Sequence, residues 1–190
     1  MDLPLIVYSP EEYIETSTGN KVYKKASIYG SQNIVLSGKC VLQKDCILRG
    51  DLAPIRMGKF GIIGENSVIR PSFKNFINKG PQGSFIHVKI GDHVFIGKSC
   101  IIMAGQISSY CHIGDGAILG QSCVLKECCE VQAEAVIAPD SVFPPFSLIG
   151  GNPARVIGST APCTADMMIE ATQEYYENFV PKTSARAALM

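Results

Sequence analysis

The sequence predicts an all-β fold: a left-handed parallel β-helix of triangular, hexapeptide-built coils, finished by a C-terminal α-helix packed along one face. Three observations carry the hexapeptide coil, and its hand is taken from known solenoids of this kind. Apolar residues recur six apart as Ile90, Ile96 and Ile102, then Ile107, Ile113, Leu119, Leu125, Val131, Ile137, Phe143 and Ile149. Glycine follows several of these rungs, at Gly91, Gly97, Gly114 and Gly120. Four residues after each rung stands a small or thin side chain, including Val94, Cys100, Cys111, Ala117, Cys123, Cys129 and Ala135. This period fits neither an amphipathic helix nor an alternating strand, and it marks a hexapeptide solenoid.

Each hexapeptide supplies one short strand and one corner. The rung points into the prism, and the slot residue fills a corner with room only for a small group. Glycine after the rung is expected to let the backbone turn. Coils stack at one strand spacing, roughly 4.8 Å. Left-handedness is expected from known solenoids of this kind, an exception to the right-handed crossover rule.

The elements follow in order. Residues 1–15 read as an N-terminal cap segment and 16–157 as the β-helix. Its early rungs are Val22, Ile28, Leu36, Leu42, Leu48, Met57, Ile63 and Ile69, with Ala26, Cys40, Cys46, Gly61 and Ser67 in the slots. Together the rungs suggest about seven coils, a stack near 30 Å tall. Residues 49–56 interrupt the ladder with Arg49-Gly50-Asp51, and residues 70–89 leave it as an ejected loop. Residues 158–181 read as the helical segment, with Thr164 as its cap and Asp166 and Glu170 placed to suit the dipole. Met168, Thr172, Tyr175, Tyr176 and Phe179 recur at helical spacing, and Pro181 ends the run. The stripe either lies on the prism or offers Tyr175, Tyr176 and Phe179 to a partner. Residues 182–190 read as a tail.

Composition narrows the function. Lys+Arg 17 balances Asp+Glu 17, with no basic cluster in the repeat. That argues against nucleic acid or an anionic membrane as the main partner. No run approaches the roughly 20 apolar residues of a membrane span, and residues 1–8 are too short for a signal peptide. A cytoplasmic protein without membrane insertion is expected, which also disfavours an integrin role for Arg49-Gly50-Asp51. Six of the 8 cysteines fall in slots, where a buried thiol behaves as a small hydrophobe. Only Cys128 and Cys163 lie outside, and paired CxxC zinc spacing is absent. The histidines are His87, His93 and His112. None shares a motif with an orienting carboxylate, although Asp92 and Asp115 are near, so polar surface histidines are expected rather than a general base.

The stretch RGDLAPIRMGKFGIIGENSVIR, followed by IGDHVFIGKSCIIMAG, resembles the γ-carbonic anhydrases. That resemblance implies three zinc histidines on neighbouring coils and subunits, because catalytic zinc needs three protein ligands and an open site. The matching positions hold Arg70, Lys98 and Met103, so no catalytic residue, metal or cofactor is expected.

A longer resemblance, to the dynactin subunit 5 family, covers nearly the whole chain. It rests on YIET with GNKV (Tyr13 to Val22), GSQNIVL (Gly30 to Leu36), RGDLA (Arg49 to Ala53) and SVIRP with Phe73. IGDHVFI, CVLKECC, FPPF and EYYENFVP extend it. The resemblance implies a non-catalytic structural subunit of the dynactin pointed-end complex, in cytoplasm and cytoskeleton. Its implied partners are dynactin subunit 6 (a related β-helix), dynactin subunit 4, the pointed-end actin-related protein and cargo adaptors, with a part in recruiting dynein–dynactin to endosomes. The alternatives are a hexapeptide acyltransferase or a metal-dependent enzyme like the γ-carbonic anhydrases. Arg49 and Asp51 match a scaffold pair that orders the subunit interface in γ-class relatives, and here they brace the coil or touch the partner. Phe73, Lys74 and Phe76 on the long loop are expected at a partner, or with Phe85 against the C-terminal helix.

Overall fold

The computed structural model describes residues 5–75 and 83–182. Its strands form two six-stranded sheets and one nine-stranded sheet, which make the three faces of a prism. Neighbouring coil strands pair in parallel, with rung opposite rung, as in Ile69↔Ile102 and Ile107↔Leu125. The ladder closes six coils and opens a seventh, rather than the seven suggested by counting rungs. After Ile149 the chain reverses: strand Ser147–Gly151 pairs antiparallel with Ala154–Ser159 instead of turning another corner. At the other end Tyr13–Glu15 lies antiparallel on Lys21–Tyr23.

The interior follows the period. The rungs from Leu42 to Ile149 are buried, and the slot cysteines Cys40, Cys46, Cys100, Cys111, Cys123 and Cys129 are fully so. These thiols do more than fill space. Cys40 donates to Gly58 O (3.1 Å), Cys111 to Lys126 O (3.2 Å) and Cys129 to Pro144 O (3.2 Å), each on the next coil. Cys128, outside the slots, is also buried, beneath Thr160, whose hydroxyl donates to its carbonyl (2.8 Å). Cys163 is exposed.

The glycines act differently from the expectation. Gly91, Gly97, Gly114 and Gly120 are not left-handed. They stand where one coil nearly touches the next: a Cβ on Gly91 would lie 2.5 Å from Ser109 N, and one on Gly97 2.8 Å from Asp115 N. The left-handed turn comes two residues later. Lys39, Asp45, Phe60, Asn66, His93, Ser99, Tyr110 and their successors to Phe146 all have φ between 52° and 63°, apart from Gly116 at 70°. Aromatic residues in this region are unusual and need support from their surroundings.

That support comes from helix α1 (Thr164–Asn178). Phe60, His93 and Tyr110 stack up one corner, with centroids 5.0 and 5.9 Å apart, and α1 packs along this column. Thr172 Oγ1 lies 2.8 Å from His93 Nδ1, and Tyr176 meets Phe60 edge-on. Because Thr172 donates its own hydroxyl proton to Met168 O (2.7 Å), His93 is the donor to Thr172. Cys163, rather than Thr164, is the N-cap; the Thr164 hydroxyl donates backwards to Ala161 O (2.6 Å). Past the helix, Phe179–Pro181 pairs in parallel with Ile6–Tyr8. Tyr8, Val41, Ile62 and Phe179 then form a second apolar cluster outside the prism.

Within the long interruption the described residues leave the ladder as paired strands. Ser72–Lys74 and Ser84–Ile86 form an antiparallel hairpin, and Val88–Ile90 rejoins the coil against Ile55–Met57. Lys74 Nζ reaches Asp140 Oδ1 (2.7 Å), and the hydroxyls of Ser72 and Ser122 lie 3.1 Å apart. Phe73 packs edge-on to Phe85 along this corner, not on α1. Phe76 lies outside the described residues.

Candidate docking face

The residue before each rung points outward, because side chains alternate across a strand. This gives each face one outward column, and the three columns differ in chemistry. On the nine-stranded face the column runs Lys21, Val41, Ile62, Phe95, His112, Glu130 and Leu148. Its lower part is roofed by α1 and the strands Ile6–Tyr8 and Phe179–Pro181. A second face carries Val35, Arg56, Lys89, Gln106, Val124 and Val142, with two cations and an amide at its middle.

The third face is apolar and open. Ile47, Val68, Ile101, Ile118 and Val136 stand in register on successive coils. At one strand spacing per coil the column is roughly 20 Å long. Ile101 is 39% exposed, and the others are partly exposed. β-Branched side chains on a rigid, flat sheet suit apposition to another flat surface, which makes this the candidate docking face.

Several residues singled out in the sequence border this face. Arg49 and Asp51 form a two-pronged pair at its N-terminal edge, Nε–Oδ1 and Nη2–Oδ2 both 2.8 Å. The guanidinium lies 5.3 Å from the ring of the exposed Tyr29 and holds the Asp51 carboxyl below its ordinary range. The hairpin with Phe73 (44% exposed) and Lys74 starts from the same corner one coil later and follows it to Asp140. Tyr175, Tyr176 and Phe179 belong elsewhere, on the helix-covered face. Tyr175 meets Phe95 edge-on, Tyr176 donates to Gly19 O (2.7 Å), and Phe179 is 2% exposed, closed to a partner in this arrangement. The apolar column itself went unread in the sequence; the signal for it is an apolar residue before every third rung.

The three positions matching zinc ligands do not make a metal site. Arg70 and Met103 share one corner on successive coils, where the Arg70 N–H donates to Ile102 O (2.9 Å). Lys98 is on another corner, 3.4 Å from Glu65. Among the described residues no group of three or more His, Cys, Asp or Glu side chains is placed to hold a metal. Two of the three histidines differ from the expected surface groups. His87 is exposed, but His93 is half-buried under α1 and His112 is stacked on Phe95 at 5.4 Å. Desolvation lowers the pKa of both, and nearby Asp92 (for His93) and Glu130 (for His112) oppose it.

Rung, slot and corner together define a left-handed hexapeptide β-helix. Solved structures with this fold include AntD, an N-acyltransferase from Bacillus cereus. One of its mutant complexes has a TM-score of 0.64 at 16% identity, over 88% of this chain and 98% of that one. A hexapeptide transferase family protein from Anaplasma phagocytophilum follows at 0.55 and 20%, over 85% and 92%. At these identities the likeness concerns fold alone. The chain belongs to the dynactin subunit 5 family, whose model matches residues 1–185. Dynactin subunit 5 of Dictyostelium discoideum is 39% identical over 184 residues, 96% of this chain and 90% of that protein. Mitochondrial gamma carbonic anhydrase 1 of Arabidopsis thaliana is 31% identical over 113 residues, 59% of this chain and 39% of that protein.

Proposed function

We propose that the chain is a non-catalytic structural subunit of the pointed-end part of dynactin. Its open face receives a related β-helix, dynactin subunit 6. The observation that carries this reading is the contrast between faces: one is roofed by the chain's own helix, one has cations at its middle, and one presents five apolar side chains in register. Dynactin subunit 4, the pointed-end actin-related protein and cargo adaptors are the further partners in this reading. Recruitment of dynein–dynactin to endosomes in the cytoplasm is the role it implies. A non-catalytic role is supported by Arg70, Lys98 and Met103, because two cations and a thioether are poor substitutes for neutral imidazoles around a divalent ion.

The test is co-purification from cytosol with tagged protein carrying Ile101→Asp and Ile118→Asp, both outward and off the core. Loss of the related β-helix subunit with circular dichroism unchanged is expected. Full recovery of that subunit would remove the open face from the interface. Stoichiometric zinc on the wild-type protein would overturn the non-catalytic reading.

A further inference from the structure

The helix roofs its face only in part. Beyond it the outward column continues as Phe95, His112 and Glu130 on paired strands. A groove of about 960 Å³ lies here, between Tyr175 and Ile6 on one side and a corner carrying Glu65, Lys98 and Asp115 on the other. Its floor is aromatic: His112 stacks on Phe95, and Tyr175 meets Phe95 edge-on at 5.5 Å. Its rim is acidic. Glu65, Asp115 and Glu130 stand against the single cation Lys98, which lies 3.4 Å from Glu65. Asp115 Oδ1 accepts the Lys98 backbone N–H (2.8 Å), which fixes that carboxylate at the edge. This imbalance is local, since the whole chain carries 17 basic and 17 acidic residues.

We propose that this groove binds a basic amphipathic peptide segment of a partner protein. An apolar side chain of the segment sits on Phe95, and its Lys or Arg groups face Asp115 and Glu130. Charge complementarity selects the class: the rim repels anions and attracts cations. The aromatic floor adds affinity for guanidinium and ammonium groups. The groove is on a different face from the apolar column, so this proposal stands or falls independently of the docking face.

The test uses the full chain and a fluorescein-labelled peptide, Lys-Leu-Arg-Phe-Lys-Leu-Arg, read by fluorescence anisotropy. The comparison peptide carries Glu at every basic position. Binding of the basic peptide alone is expected, and it should weaken as salt rises. Asp115→Asn with Glu130→Gln keeps the hydrogen-bonding shapes and should raise Kd about tenfold, equivalent to about 1.4 kcal/mol. Ala133→Lys, an exposed change on the groove wall, should weaken the basic peptide too, and it decides the matter if the double variant does not fold. Equal affinity for both peptides, or basic-peptide binding unchanged by these variants, would overturn the proposal.

Discussion

Replacing Lys21 with methionine removes the cation that closes helix α1. Lys21 is 7% exposed, and its ammonium donates to Tyr176 O (3.0 Å) and Phe179 O (2.5 Å) while lying 4.1 Å from the centre of the Tyr176 ring. Carbonyls at a helix C-terminus have no partner within the helix, and a cation there also suits the dipole. A hydrogen bond from a charged donor contributes about 1.5–3 kcal/mol. Burial works against the charge, and desolvation lowers the pKa of Lys21, so removing the ammonium recovers part of the loss. The net effect is about 2–3 kcal/mol, because methionine keeps the packing of the methylenes. The loss should fall on α1 and its neighbouring strands rather than on the prism. Hydrogen exchange read by mass spectrometry should show amides in α1 exchanging on the order of 30- to 100-fold faster. Rung strands such as Ile113 should be unchanged. A folded variant with full protection of α1 would refute the view that Lys21 holds the helix down.

Two further outcomes follow from the same contacts. His93 and His112 have folded-state pKa values below the usual 6.5, so each favours the folded state fully above that value. That stability is lost as pH falls from 6.5 through the lowered values. Tm should therefore be lower at pH 5.5 than at pH 7.5, and His93→Asn, which suits the left-handed corner, should reduce the difference; an identical pH dependence would show that His93 does not contribute. Gly97→Ala drives a Cβ to 2.8 Å from the Asp115 backbone nitrogen, and overpacking of this kind destabilises by about 1–3 kcal/mol. Urea unfolding measures it, and an unchanged midpoint would show that the coils can separate locally.

The prism was legible because its period writes the core directly: every rung from Leu42 onward is buried, and the slot thiols followed the same count. The corners were not. Left-handed residues usually announce themselves as Gly or Asn, whereas here Phe60, His93 and Tyr110 occupy the turns because they stack beneath α1. The glycines that suggested turning instead permit close approach between coils. The open face was hidden for another reason. A six-residue ladder pools all three faces, and the inserts at 49–56 and 70–89 shift the phase needed to separate them. Arg49, Asp51, Phe73 and Lys74 stood out as candidates because they sit in those inserts, while Ile47, Val68, Ile101, Ile118 and Val136 sit inside the regular repeat.

The antiparallel strands at the two ends of the helix-covered sheet also govern growth. A solenoid whose ends match can lengthen without limit, one copy continuing the ladder of the last. Here Tyr13–Glu15 and Ala154–Ser159 run against the coil direction on one face, while the other two sheets end on parallel strands. This face has nine strands against six on each of the others, so an identical copy placed end to end meets the reversed strands here before the other two sheets come within pairing distance. The two reversed strands thus act as end caps that oppose lengthening of the prism by a second copy of the same chain.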